Sequence, residues 1–303
     1  MRTLATAFAL SLALAAPSAA QQVPDPAVDV SVARPAFAAG EGPVVAIDAG
    51  HGNFHTLEGR YGAFAALLTA DGFRLRGLEG AFTAETLAGI DVLVIANAGA
   101  GVDPRADPPV SAFAPEEIAA VRAWVERGGS LLLIADHLPF AGAATALGQA
   151  FGVAFRNGYV IIPREGPPPD VFTRAGGGVG DSPVTRGRDP GESVAVIASF
   201  TGSAFTAPAG ARPVLILPRG ARSIRPDAAG RLDRDGPGEA VAGLLQGATF
   251  EVGRGRVAVF GEAAMFSAQL AGPERFRMGF NNPAAARNKQ LALNIARWLA
   301  RAY

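Results

Sequence analysis

The chain has 303 residues, 27 basic and 27 acidic side chains, 49% hydrophobic content and no cysteine. This balance excludes wholesale disorder and gives no electrostatic basis for non-specific nucleic-acid binding. The missing cysteine excludes disulfides, thiol nucleophiles and thiolate metal ligands outright.

Residues 1–20 read as an export signal. Arg2 gives a positive n-region, Leu4 to Ala16 an apolar h-region, and Ser18-Ala19-Ala20 a small-residue cleavage site. That apolar stretch is too short to span a bilayer, and no later run approaches the roughly 20 residues a spanning helix needs. The expectation is an exported protein, periplasmic or extracellular, with no membrane span after cleavage. Residues 21–42 are rich in Pro and Ala without helical or strand period, and read as an extended leader. A single α/β domain is expected over 43–303.

Val44 to Ile47 is a short apolar run of the kind a buried parallel strand presents. It ends at Asp48, and Gly50, His51, Gly52, Asn53 and His55 follow at once. Tyr61, Phe64, Ala65 and Leu68 fall at i, i+3, i+4 and i+7, which predicts an amphipathic helix stopped at Gly72. Phe73 to Arg76 reads as a short strand. Asp91 to Ala96 is a continuous apolar strand ending at Asn97. Pro115-Glu116-Glu117 opens the next helix with proline at N1 and acids at the positive end of the dipole. Ile118, Val121 and Val125 give that helix a core stripe, and Gly128-Gly129 end it. Leu131 to Ala135 is the next buried strand, followed by Asp136-His137 and a small-residue helix over Gly142 to Phe151.

The alternation predicts a flavodoxin-like, doubly wound parallel sheet. From Gly158 on the texture becomes β-rich. Glu165 to Gly180 reads as a Pro/Gly loop, Val194 to Phe200 and Pro213 to Leu217 as strands, and Ser223 to Gly238 as a surface loop. Thr249 to Val252 and Arg256 to Phe260 flank Gly253-Arg254-Gly255, a hairpin signal. Leu291, Ile295, Trp298 and Leu299 put one apolar face on a closing helix that starts near Pro283. Trp124 and Trp298 read as core, Asn282 as a helix cap, and the serines after strands as turn residues.

This order of elements, from the Asp48–His55 strand end through Arg127-Gly128-Gly129-Ser130 to the Leu131 strand, resembles the type 1 glutamine amidotransferase-like superfamily. The closest branch is the GIFT-type domain of gliding-motility and intraflagellar-transport proteins. Ser182-Pro183-Val184-Thr185 resembles the "His-Pro-apolar-Thr" turn of such domains, with serine in place of histidine. The resemblance implies a fold more than an activity. True amidotransferases carry a catalytic cysteine and a late histidine; this chain has no cysteine, and its last histidine is His137. Glutaminase chemistry is therefore not expected.

All three histidines lie just past predicted strands, where ligands collect in open α/β sheets. Asp48, His51, Asp136, His137 and Glu262 form the expected catalytic set, with Asn53, His55, Asn97 and Gln269 as ligand-binding groups. His51, His55, His137 and Asp136 are the donors that would suit a divalent transition metal such as zinc. Two readings follow. One is a metal-assisted hydrolase of a polar envelope substrate, a carbohydrate or a peptide. The other is a non-catalytic carbohydrate- or ligand-binding or assembly module. For Glu262 the structural alternative is an ion pair with Arg275 or Arg277.

Overall fold

The computed structural model describes residues 22–99 and 101–303; the export-signal reading lies outside them. In chain order the first half contains β1 (Gln22–Pro24), β2 (Val44–Asp48), α1 (Gly62–Ala70), β3 (Arg74–Leu78), β4 (Val92–Ala96), α2 (Pro115–Glu126), β5 (Ser130–Ile134), α3 (Phe140–Ala143) and α4 (Thr145–Ala150). The second half contains β6 (Ala154–Arg156), β7 (Tyr159–Ile161), β8 (Asp170–Thr173), α5 (Pro183–Arg186), β9 (Val196–Ser199), β10 (Ala204–Thr206), β11 (Arg212–Ile216) and β12 (Arg222–Ile224). It closes with β13 (Glu239–Ala240), β14 (Leu245–Val252), β15 (Gly255–Phe260), β16 (Ala268–Ala271), β17 (Phe276–Gly279) and α6 (Asn288–Leu299).

The apolar runs became strands because the central sheet is covered on both faces. Every residue of β4 and β5 is buried. The sheet has nine strands in the order β3-β2-β4-β5-β15-β14-β10-β6, with β11 also paired to β14. From β3 to β15 all pairings are parallel. Beyond β15 they are antiparallel, so the sheet is mixed and largely parallel. Alternation along the strands splits the core in two. Val45, Ile47, Leu132 and Ile134 pack with Phe64, Leu67 and Leu68 of α1 and Leu291, Ile295 and Trp298 of α6. Ala46, Leu93, Leu131 and Leu133 pack with Val121 and Val125 of α2 and Leu147 of α4.

Several expectations need correction. The leader is not merely extended: β1 pairs antiparallel with β16, Val23 opposite Leu270. Lys289 then holds Asp29 at 2.9 Å, and Phe37 packs edge-on against Phe73. The Glu165–Gly180 loop contains β8, which pairs with β9. The expected Gly142–Phe151 helix is two short ones, α3 and α4.

The closing helix carries more than an apolar face. Asn294 Nδ2 donates to the carbonyls of Val184 and Glu192, both at 2.9 Å. Arg297 is 1% exposed, and its guanidinium donates to both carboxylate oxygens of Asp71, at 2.6 and 2.7 Å, and to Glu192 at 3.0 Å. A buried arginine is tolerated only when paired in this way.

Candidate functional site

The sheet delivers its predicted polar residues to one edge, the carboxyl ends of β2, β4, β5 and β15. There they divide into two clusters, each with its own chemistry.

The first cluster lies over β2 and α2. Asp48 Oδ1 accepts from Gly50 N at 3.1 Å and contacts His51 Nδ1 at 2.8 Å. The other carboxylate oxygen of Asp48 accepts from Asn53 Nδ2 at 3.0 Å, and Asn53 Nδ2 also reaches the Ala96 carbonyl. His51 Nε2 lies 2.9 Å from Glu117 Oε1. Glu117 also receives the backbone N–H groups of Ala114 and Phe82, so the capping acid of α2 is shared with the imidazole. The ring sits between Phe82 and Phe113, with centroids at 4.4 and 4.9 Å. Burial works to lower the His51 pKa, but the hydrogen bonds and charges of Asp48 and Glu117 outweigh it and hold the pKa above 6.5. Every polar group of this cluster has a partner within the protein, so it clamps α2 to the sheet edge.

The second cluster is open. A cavity of about 220 Å³ is lined by His55, Asn97, Asp136, His137, Glu262 and Gln269, together with Gln22, Phe54, Arg60, Phe140, Phe200 and Thr201. Asn97 ends β4 with φ +51 and accepts from Asp136 N at 3.0 Å, which turns the chain at the cavity floor. Asp136 accepts the N–H of His137 at 2.7 Å and that of Ala263 at 3.3 Å. His137 Nδ1 lies 2.9 Å from the Leu138 carbonyl, and its ring stacks on Tyr159 at 4.1 Å. Glu262 pairs with neither Arg275 nor Arg277; its two oxygens accept from Ala264 N and Met265 N at 2.6 and 2.8 Å. Complete burial, then repulsion from Asp136, pushes the Glu262 pKa well above the usual carboxylate range. Those two N–H bonds oppose the rise without cancelling it.

His55 is 3% exposed, and burial, aided by the charge of Arg60, pushes its pKa down to about 3. Its Nδ1 has no hydrogen-bond partner, and neither has Oε1 of the fully buried Gln269. His55 therefore does not cap the helix entry.

His51 and His137 thus share the sheet edge but not a pocket. Nor do the four expected metal ligands assemble. Among the described residues no three His, Cys, Asp or Glu side chains are placed to hold an ion. The physical reason is that both His51 nitrogens are taken by Asp48 and Glu117. Of the serines read as turn residues, Ser182 caps α5, whereas the buried Ser203 makes a tertiary bond, donating to the Ala135 carbonyl just past β5 at 2.7 Å. Asn282 caps the turn at Pro283. Arg60, Phe54 and Gln22 were not anticipated. A lone arginine ahead of a helix and a residue in a Pro-rich leader carry no sequence signal for a pocket.

No protein-family model matches the sequence, and no curated protein matches it. Solved structures do. The mmIFT52 N-terminal domain superposes with a TM-score of 0.58 at 15% identity, covering 84% of this chain and 97% of that one. A putative ThuA-like protein from Bacteroides uniformis gives 0.46 at 14% identity, covering 91% and 95%. Cytoplasmic Protein STM1381 from Salmonella typhimurium gives 0.47 at 12%, covering 86% and 97%. At these identities the likeness is one of fold.

Proposed function

We propose that the chain is a ligand-recognition domain of the amidotransferase-like, GIFT-type fold, in which the β2–β5 block is wound in the flavodoxin manner and the open cavity binds one small polar molecule. The observation that carries this reading is the pair of unpartnered polar atoms, His55 Nδ1 and Gln269 Oε1, on two buried residues lining one cavity. Leaving a buried polar group unsatisfied costs about 1–3 kcal/mol, and a ligand with matching donors and acceptors recovers it. The 220 Å³ volume suits a single sugar or amino acid, below the roughly 300 Å³ at which drug-sized pockets begin. Glutaminase chemistry is excluded by the missing cysteine. Export to the periplasm or the medium is the matching proposal for compartment; among the described residues no helix is long and apolar enough to cross a membrane.

Calorimetry and thermal-shift measurements on the mature protein, with monosaccharides and amino acids as probes, test the reading. Saturable binding by one of them that Gln269→Leu abolishes is the expected result. A cavity that takes up none of these probes is not a ligand site.

One observation favours a second reading, hydrolysis without a resident metal. Glu262 is fully buried beside Asp136, and burial, then that second carboxyl group, pushes its pKa upward, the direction a general acid needs. On that reading Glu262→Gln eliminates turnover of a bound substrate while binding persists. Turnover that survives the substitution removes the reading.

A further inference from the structure

The cavity also presents two electrical poles, Arg60 and Asp136, which act on each other through their fields but form no direct ion pair among the described residues. Arg60 is half-buried against the Phe54 ring, 5.0 Å from its centroid, and lines the cavity. Among the described residues its guanidinium finds no acceptor and no ion-pair partner, although five N–H donors are available. The other charged side chains here are Asp136 and Glu262. Asp136 receives only backbone N–H groups. Glu262 is sealed from solvent and faces Asp136, and burial, then that second carboxyl group, pushes its pKa upward.

The negative pole has a definite shape. The Leu138 carbonyl can only accept, so His137 Nδ1 carries an N–H directed at it. Nε2 of the same ring lies 4.0 Å from Asp136 Oδ1. Stacking on Tyr159 fixes the ring in that position. Among the described residues no side chain donates a hydrogen bond to Asp136, and a ligand group with several N–H donors can reach it from the cavity.

The geometry points to a zwitterion of amino-acid size as the occupant, its ammonium held at Asp136 beside the His137 ring and its carboxylate held by Arg60. This rests on the cavity being a ligand site, as proposed above. The competing classes each leave a charge unanswered. A simple anion meets Asp136, a simple cation meets Arg60, and a neutral sugar forms an ion pair with neither. The small volume keeps the two ligand charges on one short molecule, as in a free α-amino acid and not in a peptide, whose termini lie farther apart.

The test is calorimetric titration of the mature protein with free L- and D-amino acids, their amides and N-acetyl derivatives, and neutral monosaccharides. A free amino acid is expected to bind saturably, with its amide and its N-acetyl form each at least about tenfold weaker. Arg60→Gln, which removes no hydrogen bond from the fold, should weaken the free amino acid by about 10- to 100-fold, the loss typical of a charged hydrogen-bonded contact. The same variant should not weaken the amide, a cation that Arg60 repels. Binding of a monosaccharide but of no amino acid overturns the zwitterion and leaves the recognition pocket standing. Equal affinity of wild type and Arg60→Gln for the free acid also overturns it. No saturable binding of any probe removes both inferences.

Discussion

Arg297→Met should destabilise the fold by about 3–5 kcal/mol, measured by denaturant unfolding at neutral pH. The substitution keeps the volume and the apolar stem but strands Asp71, which is 0% exposed, and Glu192, which is 4% exposed. Both carboxylates were accepting from the guanidinium, at 2.6 to 3.0 Å. Glu192 retains Arg188, and Asp71 retains the Ala36 N–H, so the loss falls mainly on Asp71. The double variant Arg297→Met, Asp71→Asn should recover a good part of the stability, because it removes the stranded charge itself. A single variant as stable as wild type would show that Arg297 contributes only packing.

The second large effect concerns the His51 clamp. His51→Leu leaves Asp48 and Glu117 without their shared partner at a nearly closed site, and the expected loss is roughly 2–4 kcal/mol. The loss depends on pH. The folded pKa of His51 lies above the ordinary 6.5, so folding takes up protons at this site. The contribution is complete below 6.5 and disappears as pH rises through the folded value. Wild type and His51→Leu should therefore differ most in mildly acidic buffer and converge on the alkaline side. Stability curves that run parallel across this window would show that the ring acts without its charge.

These two sites also show what the sequence could and could not reveal. Buried parallel strands read as unbroken apolar runs, so Val44–Ile47, Asp91–Ala96 and Leu131–Ala135 were legible from hydrophobicity alone. The edge to which the histidines are delivered was legible for the same reason, since it follows from strand direction. Which side of that edge each ring takes was not. His51 is drawn away from His137 by Glu117, 66 residues on, and by aromatic rings from two other loops. The pairing of β8 with β9 was hidden because Pro and Gly flank a strand of only four residues. Hydrophobic spacing marked only the apolar face of α6; Asn294 and Arg297 are inside because their partners come from distant segments. Arg60 could not be found by pattern at all. What marks it is the lack of an acceptor, a property of the folded molecule only.

The position of β15 in the sheet has a kinetic consequence. This strand is central: it pairs with β5 on one side and β14 on the other, yet it begins at residue 255. Until Gly255–Phe260 has been synthesised, the apolar strand β5 is an unsatisfied edge, and β1 has no β16 to join. Most of the native pairings are therefore of long sequence range, and closing such loops is slow. The nine-stranded sheet cannot be completed until β14 and β15 have both been made. That is a hazard for aggregation in a crowded compartment and an advantage for any chain that has to be threaded through a narrow translocation channel before it folds.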